Sequence, residues 1–455
     1  MTDIAAIARM SAAAIGRALA AGEADPVELA EHLLNRIDTA ADQSIFITVT
    51  RSRALEEAQA ARTRLTEGRP LSPLDGVPIA WKDLFDMKGE VTTCASDLRR
   101  NARPAATDAT IVANAAAAGM VSLGKTNLTE FAYSGIGLNP HFGTPHNPFD
   151  PDTPRAPGGS SAGSAVAVAS GLAPCAIGTD TGGSVRIPSA FNGLTGHKSS
   201  EGRIPKGGVF PLSETLDTVG PLARSVEDCI LLDMVMRGAA TTTVRRLPLS
   251  GLSLFVPETV VLTDLDSAVA ANFEATLSRL EQAGVKIARG PLDIFAEIVR
   301  ITAEHGSLGA AEAYHVHRSL VEGPDVGRID RRVVARIMGG KPMSALDLVI
   351  IEHARREFAA RLAEKIGDAL IAMPTVPMTA PKIAPLEADD AVFGMNNLKA
   401  LRNTMLGNFL NLPGLALPNG TDEHGLPTSF LLCALGGDDD RLLSYGLSVE
   451  KVVRG

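Results

Sequence analysis

Two glycine-rich turns and one distant lysine carry the residue types that could do chemistry. The run Gly158-Gly159-Ser160-Ser161-Ala162-Gly163-Ser164 leads, through the apolar stretch Ala165 to Ile177, into Gly178-Thr179-Asp180-Thr181-Gly182-Gly183-Ser184-Val185-Arg186. A glycine pair before a hydroxyl lets the backbone adopt conformations closed to other side chains. It also leaves amide N–H groups uncovered, free to meet an anion. Two such turns in one unit suit a site where one serine attacks and bare amides hold the charge that develops. The same pattern describes an ordinary loop or a phosphate cradle at a helix start. The turns alone therefore leave catalysis and structure both open. The Gly-Lys-Ser/Thr ending of a P-loop is missing, and no Gly-x-Gly-x-x-Gly follows a strand.

The lysine lies in Gly76-Val77-Pro78-Ile79-Ala80-Trp81-Lys82-Asp83-Leu84-Phe85-Asp86, where Val77 to Trp81 reads as a buried strand. A lysine at such a place more often keeps its ammonium in water at the end of an apolar stem. If Lys82 is buried instead, desolvation disfavours its charged form and lowers its pKa. A neutral amine beside serines is a general base, and the arrangement needs no histidine.

The lysine segment followed by both serine turns, in this order, resembles the amidase signature family. The likeness covers a core from about Leu74 to Asp228 and parts of the C-terminal region. It implies one compact α/β domain across residues 1–455, with a large mixed sheet covered on both faces by helices. It further implies a Ser–cis-Ser–Lys triad. Carried over by position, Ser184 is the acyl-forming nucleophile, Ser160 the bridging serine after a cis peptide, and Lys82 the base. The backbone N–H groups of Thr181, Gly182, Gly183 and Ser184 become the oxyanion hole. Ser161, Asp180 and Arg186 are supporting residues, the last two as an ion pair or turn-fixing partners, since the Ser-Lys scheme leaves them no proton to move. Ala162, where glycine is more usual, and Trp81, bulkier than the usual aliphatic residue, are small departures outside the catalytic positions.

Composition sets the outer limits. The chain has 455 residues, 45% hydrophobic and 21% charged, which is ordinary for a soluble protein with a large core. A net charge of −9 argues against nonspecific nucleic-acid or anionic-membrane binding. Cys94, Cys175, Cys229 and Cys433 are scattered, which suggests neither a disulfide framework nor a zinc site. His305, His315 and His317 invite a metal reading, but the latter two point to nearly opposite faces of a helix. No metal or cofactor is expected. With no basic leader segment and no apolar run long enough for a membrane span, the expected compartment is the cytoplasm.

The elements that must position these residues can be read along the chain. Two helices are expected from Ile4 to about Ile37, the second opening at Pro26, then a strand over 44–50 and a helix over 54–66. A helix from Asp108 to Ala118 ends at Gly119, followed by a strand from Met120. Residues 131–150 are loop-rich and suggest a wall of the site, with Tyr133 as a candidate substrate contact. Ser164 to Ser170 reads as a helix whose N-terminus points toward Ser160 and Ser161, and Leu172 to Ile177 as a strand delivering Asp180. Ser225 caps a helix through Met236. Residues 254–288 make a further α/β unit. Residues 290–345 are expected to shape substrate access. The helix from Ala345 to Gly367 should bury the stripe Ile351, Ala354, Phe358, Leu362 and Ile366. Strands near 369–373, 409–417 and 429–435 and a helix from Leu442 complete the reading.

The expected activity is hydrolysis of a small carboxylic amide to acid plus ammonia or amine, through a serine acyl-enzyme. An alternative within the same resemblance is the glutaminase subunit of a tRNA-dependent amidotransferase, although Ser200 to Gly208 lacks its Tyr-Gly pattern. A third reading is a non-catalytic anion- or nucleotide-binding protein. The expected partner is a small-molecule amide, with no nucleic acid and no membrane. Oligomeric state is open, a homodimer being the first expectation.

Overall fold

Two short stretches show why the chain layers as it does. In the computed structural model, which describes residues 3–455, consecutive residues Leu370 to Met373 and Phe430 to Cys433 are fully buried. Leu370, Ala372, Phe430 and Leu432 join one apolar core, with Phe273 and Leu277 of the helix Ser267–Gln282 and Val449 of Asp439–Arg454. Their neighbours Ile371, Met373, Leu431 and Cys433 join another, with Ile298 and Phe358 from two other helices. Side chains alternate across a strand, so continuous apolar runs without polar alternation require helices on both sides.

The strands of this sheet are β1 (Phe46–Val49), β2 (Pro78–Lys82), β3 (Val121–Thr126), β4 (Ala176–Asp180), β5 (Thr195–Lys198) and β6 (Thr218–Ala223), from the first half of the chain. The second half adds β7 (Ser253–Pro257), β8 (Lys286–Gly290), β9 (Leu370–Pro374), β10 (Gly414–Thr421) and β11 (Pro427–Cys433). Among the described residues they form one 11-stranded mixed sheet in the order β1-β3-β2-β4-β6-β5-β10-β11-β9-β7-β8. This is a single-domain α/β fold. β2 pairs in parallel with both β3 and β4, so Thr126, Lys82 and Asp180 close three adjacent strands at the same edge. Carboxyl ends of parallel strands are where open α/β sheets place their ligands.

The helix Ala345–Ile366 buries Ile351, Ala354, Phe358, Leu362 and Ile366, the stripe its spacing predicts. Ser344 caps it, accepting from the Asp347 amide while the Asp347 carboxylate accepts from the Ser344 amide. Removing the Phe358 ring would cost about 3–5 kcal/mol, because a packed core cannot fully close over the space.

Two expectations need correction. The N-terminal segment is three helices, Ile4–Ile7, Ala12–Ala20 and Pro26–Asp38, because the Ser11 hydroxyl accepts from the Ala14 amide and starts a helix where continuity was expected. Phe409 does not begin a strand; it ends the helix Asp390–Phe409, and β10 starts only at Gly414. The region 290–345 is likewise built of helices, chiefly Asp293–His305, Leu308–Val321 and Arg331–Met338. No described helix is long and apolar enough to cross a membrane.

Candidate active site

β2 carries Lys82 to the carboxyl edge of the sheet with its side chain fully buried. Its Nζ lies 2.7 Å from Ser160 Oγ and 2.8 Å from Thr179 Oγ1. No carboxylate among the described residues forms an ion pair with it. Burial dominates and lowers its pKa from 10.5 to about 7, against a weaker upward pull from the charges of Asp217 and Asp180. Lys82 is thus poised to exist as a free amine near neutral pH.

Ser160 is sealed from solvent. The Gly159–Ser160 peptide bond is cis. The Thr129 amide donates to the Ser160 carbonyl at 3.1 Å and the Gly159 amide to the Gly135 carbonyl at 2.8 Å, pinning the turn from outside. The helix Ala162–Ala169 follows at once, starting two residues ahead of the expected Ser164, so that Ser161 is its N-cap residue. Ser161 joins the two turns: its amide and its hydroxyl both donate to the Ser184 carbonyl, at 3.3 and 2.5 Å.

The second turn presents Ser184, 5% exposed, to a cleft of about 280 Å³. Its hydroxyl has no hydrogen-bond partner among the described residues, so the expected contact with Ser160 Oγ is not made in this structure. Backbone amides of Thr181, Gly182, Gly183 and Ser184 likewise donate to no acceptor among the described residues. Gly183 has a φ of +139°, and a Cβ there would stand 2.3 Å from Thr404 Oγ1. Only glycine allows this backbone to expose its N–H groups so densely.

Asp180 and Arg186 form the supporting pair. Arg186 Nη2 donates to Asp180 Oδ1 at 2.9 Å and Nε to Oδ2 at 3.0 Å, with both side chains wholly buried. Asn408 Nδ2 donates to Asp180 Oδ1 at 2.8 Å, and the amides of Val185 and Arg186 reach Oδ2. Burial works against the charged carboxylate, but the Arg186 guanidinium outweighs it and holds Asp180 below the usual range. The pair clasps the two ends of the loop that carries Ser184.

Three contributors are not signalled by the sequence reading. Thr179 gives Lys82 its second partner; it sits inside the motif, two residues from Thr181, and strand alternation would have placed both on one face. Asp217 accepts from Thr181 Oγ1 at 2.5 Å and from the amides of Leu212 and Ser213. Burial pushes its carboxyl pKa up. Thr404 donates to the Gly182 carbonyl at 2.7 Å. Asp217 and Thr404 are far along the chain, and nothing local marks them.

The cleft walls are apolar, with Leu212, Ile298, Leu401 and Met405 among them, and Tyr133 lines the cleft as expected. Its neighbours Phe131 and Ala132 have φ of +51° and +62°. The three histidines stand apart from this chemistry. His305 Nδ1 is 2.8 Å from Asp347 Oδ1, His315 is exposed, and His317 is buried with its ring 4.7 Å from Phe131.

Known proteins match the chain over most of its length. The amidase family model matches residues 28–443. A 2-amino-5-chloromuconic acid deaminase of Comamonas testosteroni is 34% identical, over 88% of this chain and 87% of that protein. A glutamyl-tRNA(Gln) amidotransferase subunit of Cupriavidus necator is 34% identical, over 94% of this chain and 93% of its own. A solved amidase structure superposes with a TM-score of 0.86 at 28% identity, covering 98% of this chain and all of the other.

Proposed function

Since the chain belongs to the amidase family, whose members are amide hydrolases, we propose that it cleaves a small carboxylic amide through an acyl-enzyme on Ser184. The observation that carries this reading is the buried Lys82 amine, 2.7 Å from Ser160 Oγ and without a counterion. The neutral amine takes the Ser160 proton while Ser160 takes that of Ser184. Ser184 Oγ then attacks the amide carbonyl carbon, and the carbonyl π-electrons move to oxygen. The oxyanion rests on the bare amides of Thr181 to Ser184, where one such donor is typically worth about 3 kcal/mol. Collapse re-forms the carbonyl and breaks the C–N bond, and the leaving nitrogen accepts a proton from Ser160, which Lys82 replenishes. Water, deprotonated along the same chain, attacks the ester, and Ser184 leaves with its proton restored.

The absent bond between the two serine hydroxyls is compatible with this scheme, because catalytic hydrogen bonds often tighten only when substrate is bound. Ser160 serves as the relay in this scheme because its Oγ is the hydroxyl held by the Lys82 amine, while only Ser184 of the three lines the cleft. Ammonia release from a panel of aliphatic, aromatic and ureido amides tests the reading. Ser184→Ala should lose activity by at least about a thousandfold while keeping its fold. Full activity in the purified variant would refute the nucleophile assignment.

A second reading has support from the near-complete match to the glutamyl-tRNA(Gln) amidotransferase subunit. In that case the same chemistry would release ammonia for a partner, and the lone chain would hydrolyse simple amides poorly. We favour the stand-alone hydrolase because Ser200 to Gly208 lacks the Tyr-Gly pattern of such subunits. Turnover of simple amides by the isolated chain separates the two.

A further inference from the structure

Three arginines line the cleft that opens onto Ser184, and their partners differ. Arg355 is neutralised: it donates to Glu201 at 2.8 Å and to Glu352 at 3.2 Å. Arg402 is anchored by the Thr263 carbonyl at 2.5 Å and by Asn403. Arg336 has neither kind of restraint on its terminal nitrogens. Its Nε donates to the Tyr133 carbonyl at 3.0 Å, and its guanidinium carbon stands 4.6 Å from the centre of the Tyr133 ring. Among the described residues, Nη1 and Nη2 donate to nothing and no carboxylate pairs with the group.

A guanidinium fixed through Nε and stacked on an aromatic face is already oriented, so little side-chain entropy is lost when its fork binds an anion. Its two terminal nitrogens match the two oxygens of a carboxylate. The backbone supports the placement, since Phe131 and Ala132 take left-handed conformations to turn Tyr133 beneath the arginine. The same cleft is lined by Leu401 and Met405, which stand against Gly182 in the Ser184 turn and offer surfaces suited to a hydrocarbon spacer.

We propose that Arg336 is a specificity-determining residue that binds a carboxylate on the substrate, so that the preferred substrates are monoamides of short aliphatic dicarboxylic acids. This rests on the amide-hydrolase reading for its chemistry, but the binding step can be measured without turnover. A neutral amide would fill the apolar walls and leave the fork unpaired.

The test is calorimetric binding to the Ser184→Ala protein, using monoamides from succinic to adipic acid. The neutral isostere 5-methylhexanamide serves as control for the glutaric monoamide. At least one monoamide should bind about ten- to a hundredfold more tightly than its neutral isostere, the range expected for hydrogen bonds between charged partners. Adding Arg336→Met should remove that preference, and Arg336→Lys should restore part of it through a single-point contact. Equal affinity for charged and neutral amides, or a preference that survives both substitutions, overturns the assignment. Charged amides that bind through Arg336 but are never hydrolysed by the wild-type chain would instead sink the hydrolase reading. Hydrolysis of neutral amides with no preference for charged ones would sink Arg336 alone.

Discussion

Asp83 follows Lys82 directly in the chain, yet its carboxylate lies 2.6 Å from the ammonium of Lys125, on the neighbouring strand. Both members of that pair are fully buried. Successive side chains on a strand point to opposite faces, so the pleat that aims Lys82 at Ser160 turns Asp83 away toward Lys125. Lys82 is left without a counterion because the nearest carboxylate in sequence is already engaged.

That separation predicts a pH dependence. Burial brings the Lys82 pKa down to about 7, and only the deprotonated amine can accept a proton. Hydrolysis measured as kcat/KM should therefore rise with pH through about 7 and level off above it. Lys82→Arg, which stays protonated, should be inactive at every pH. A profile flat from pH 5 to 8 would contradict the assignment.

Asp217 is predicted to act through Thr181 as a positioning residue. Its carboxylate fixes Thr181 Oγ1 at 2.5 Å and its charge raises the Lys82 pKa. Asp217→Asn should lower kcat by about tenfold to a hundredfold with little change in KM. It should also move the acid limb of the profile to lower pH, since removing a nearby negative charge favours the neutral amine. A purely structural role would leave the limb where it is.

Thr179→Val tests the second contact of the Lys82 amine. The methyl group preserves volume and removes the hydroxyl 2.8 Å from Nζ. We expect a loss of about 1 kcal/mol in transition-state stabilisation, read as a several-fold fall in kcat/KM with unchanged far-UV circular dichroism.

The Asp180–Arg186 pair should matter mainly for stability. Both side chains are wholly buried, and removing one partner leaves an uncompensated charge. Arg186→Met should cost about 3–5 kcal/mol in urea unfolding, with a smaller loss of kcat/KM from loosening the Ser184 loop that the pair clasps. The wild-type free energy of unfolding in that variant would show that the pair is dispensable.

What the sequence made legible follows from local physics. Lys82 is readable because the run Val77 to Trp81 before it is apolar and bounded by Gly76. The Ile351–Ile366 stripe is readable because only one face of its helix is buried. The helix Asp390–Phe409 was not readable for the opposite reason. It buries Asn397, Asn403, Thr404 and Asn408 among its apolar residues, so no single stripe appears. Those polar side chains meet partners far along the chain: Asn397 receives the Gly135 amide, Asn403 donates to the Pro374 carbonyl, and Asn408 donates to Asp180. Site residues such as Asp217 and Arg336 share that difficulty, since their meaning comes from contacts with Thr181 and Tyr133 that only the folded chain creates.

The central claim concerns the protonation state of one buried amine. It is tested most directly by NMR titration of lysine side chains labelled at Cε, with the Lys82 signal assigned by its loss in Lys82→Arg. The account predicts a midpoint at about pH 7, more than three units below an ordinary lysine. A midpoint near 10.5 would mean that Lys82 is an ammonium at working pH and does not serve as the base.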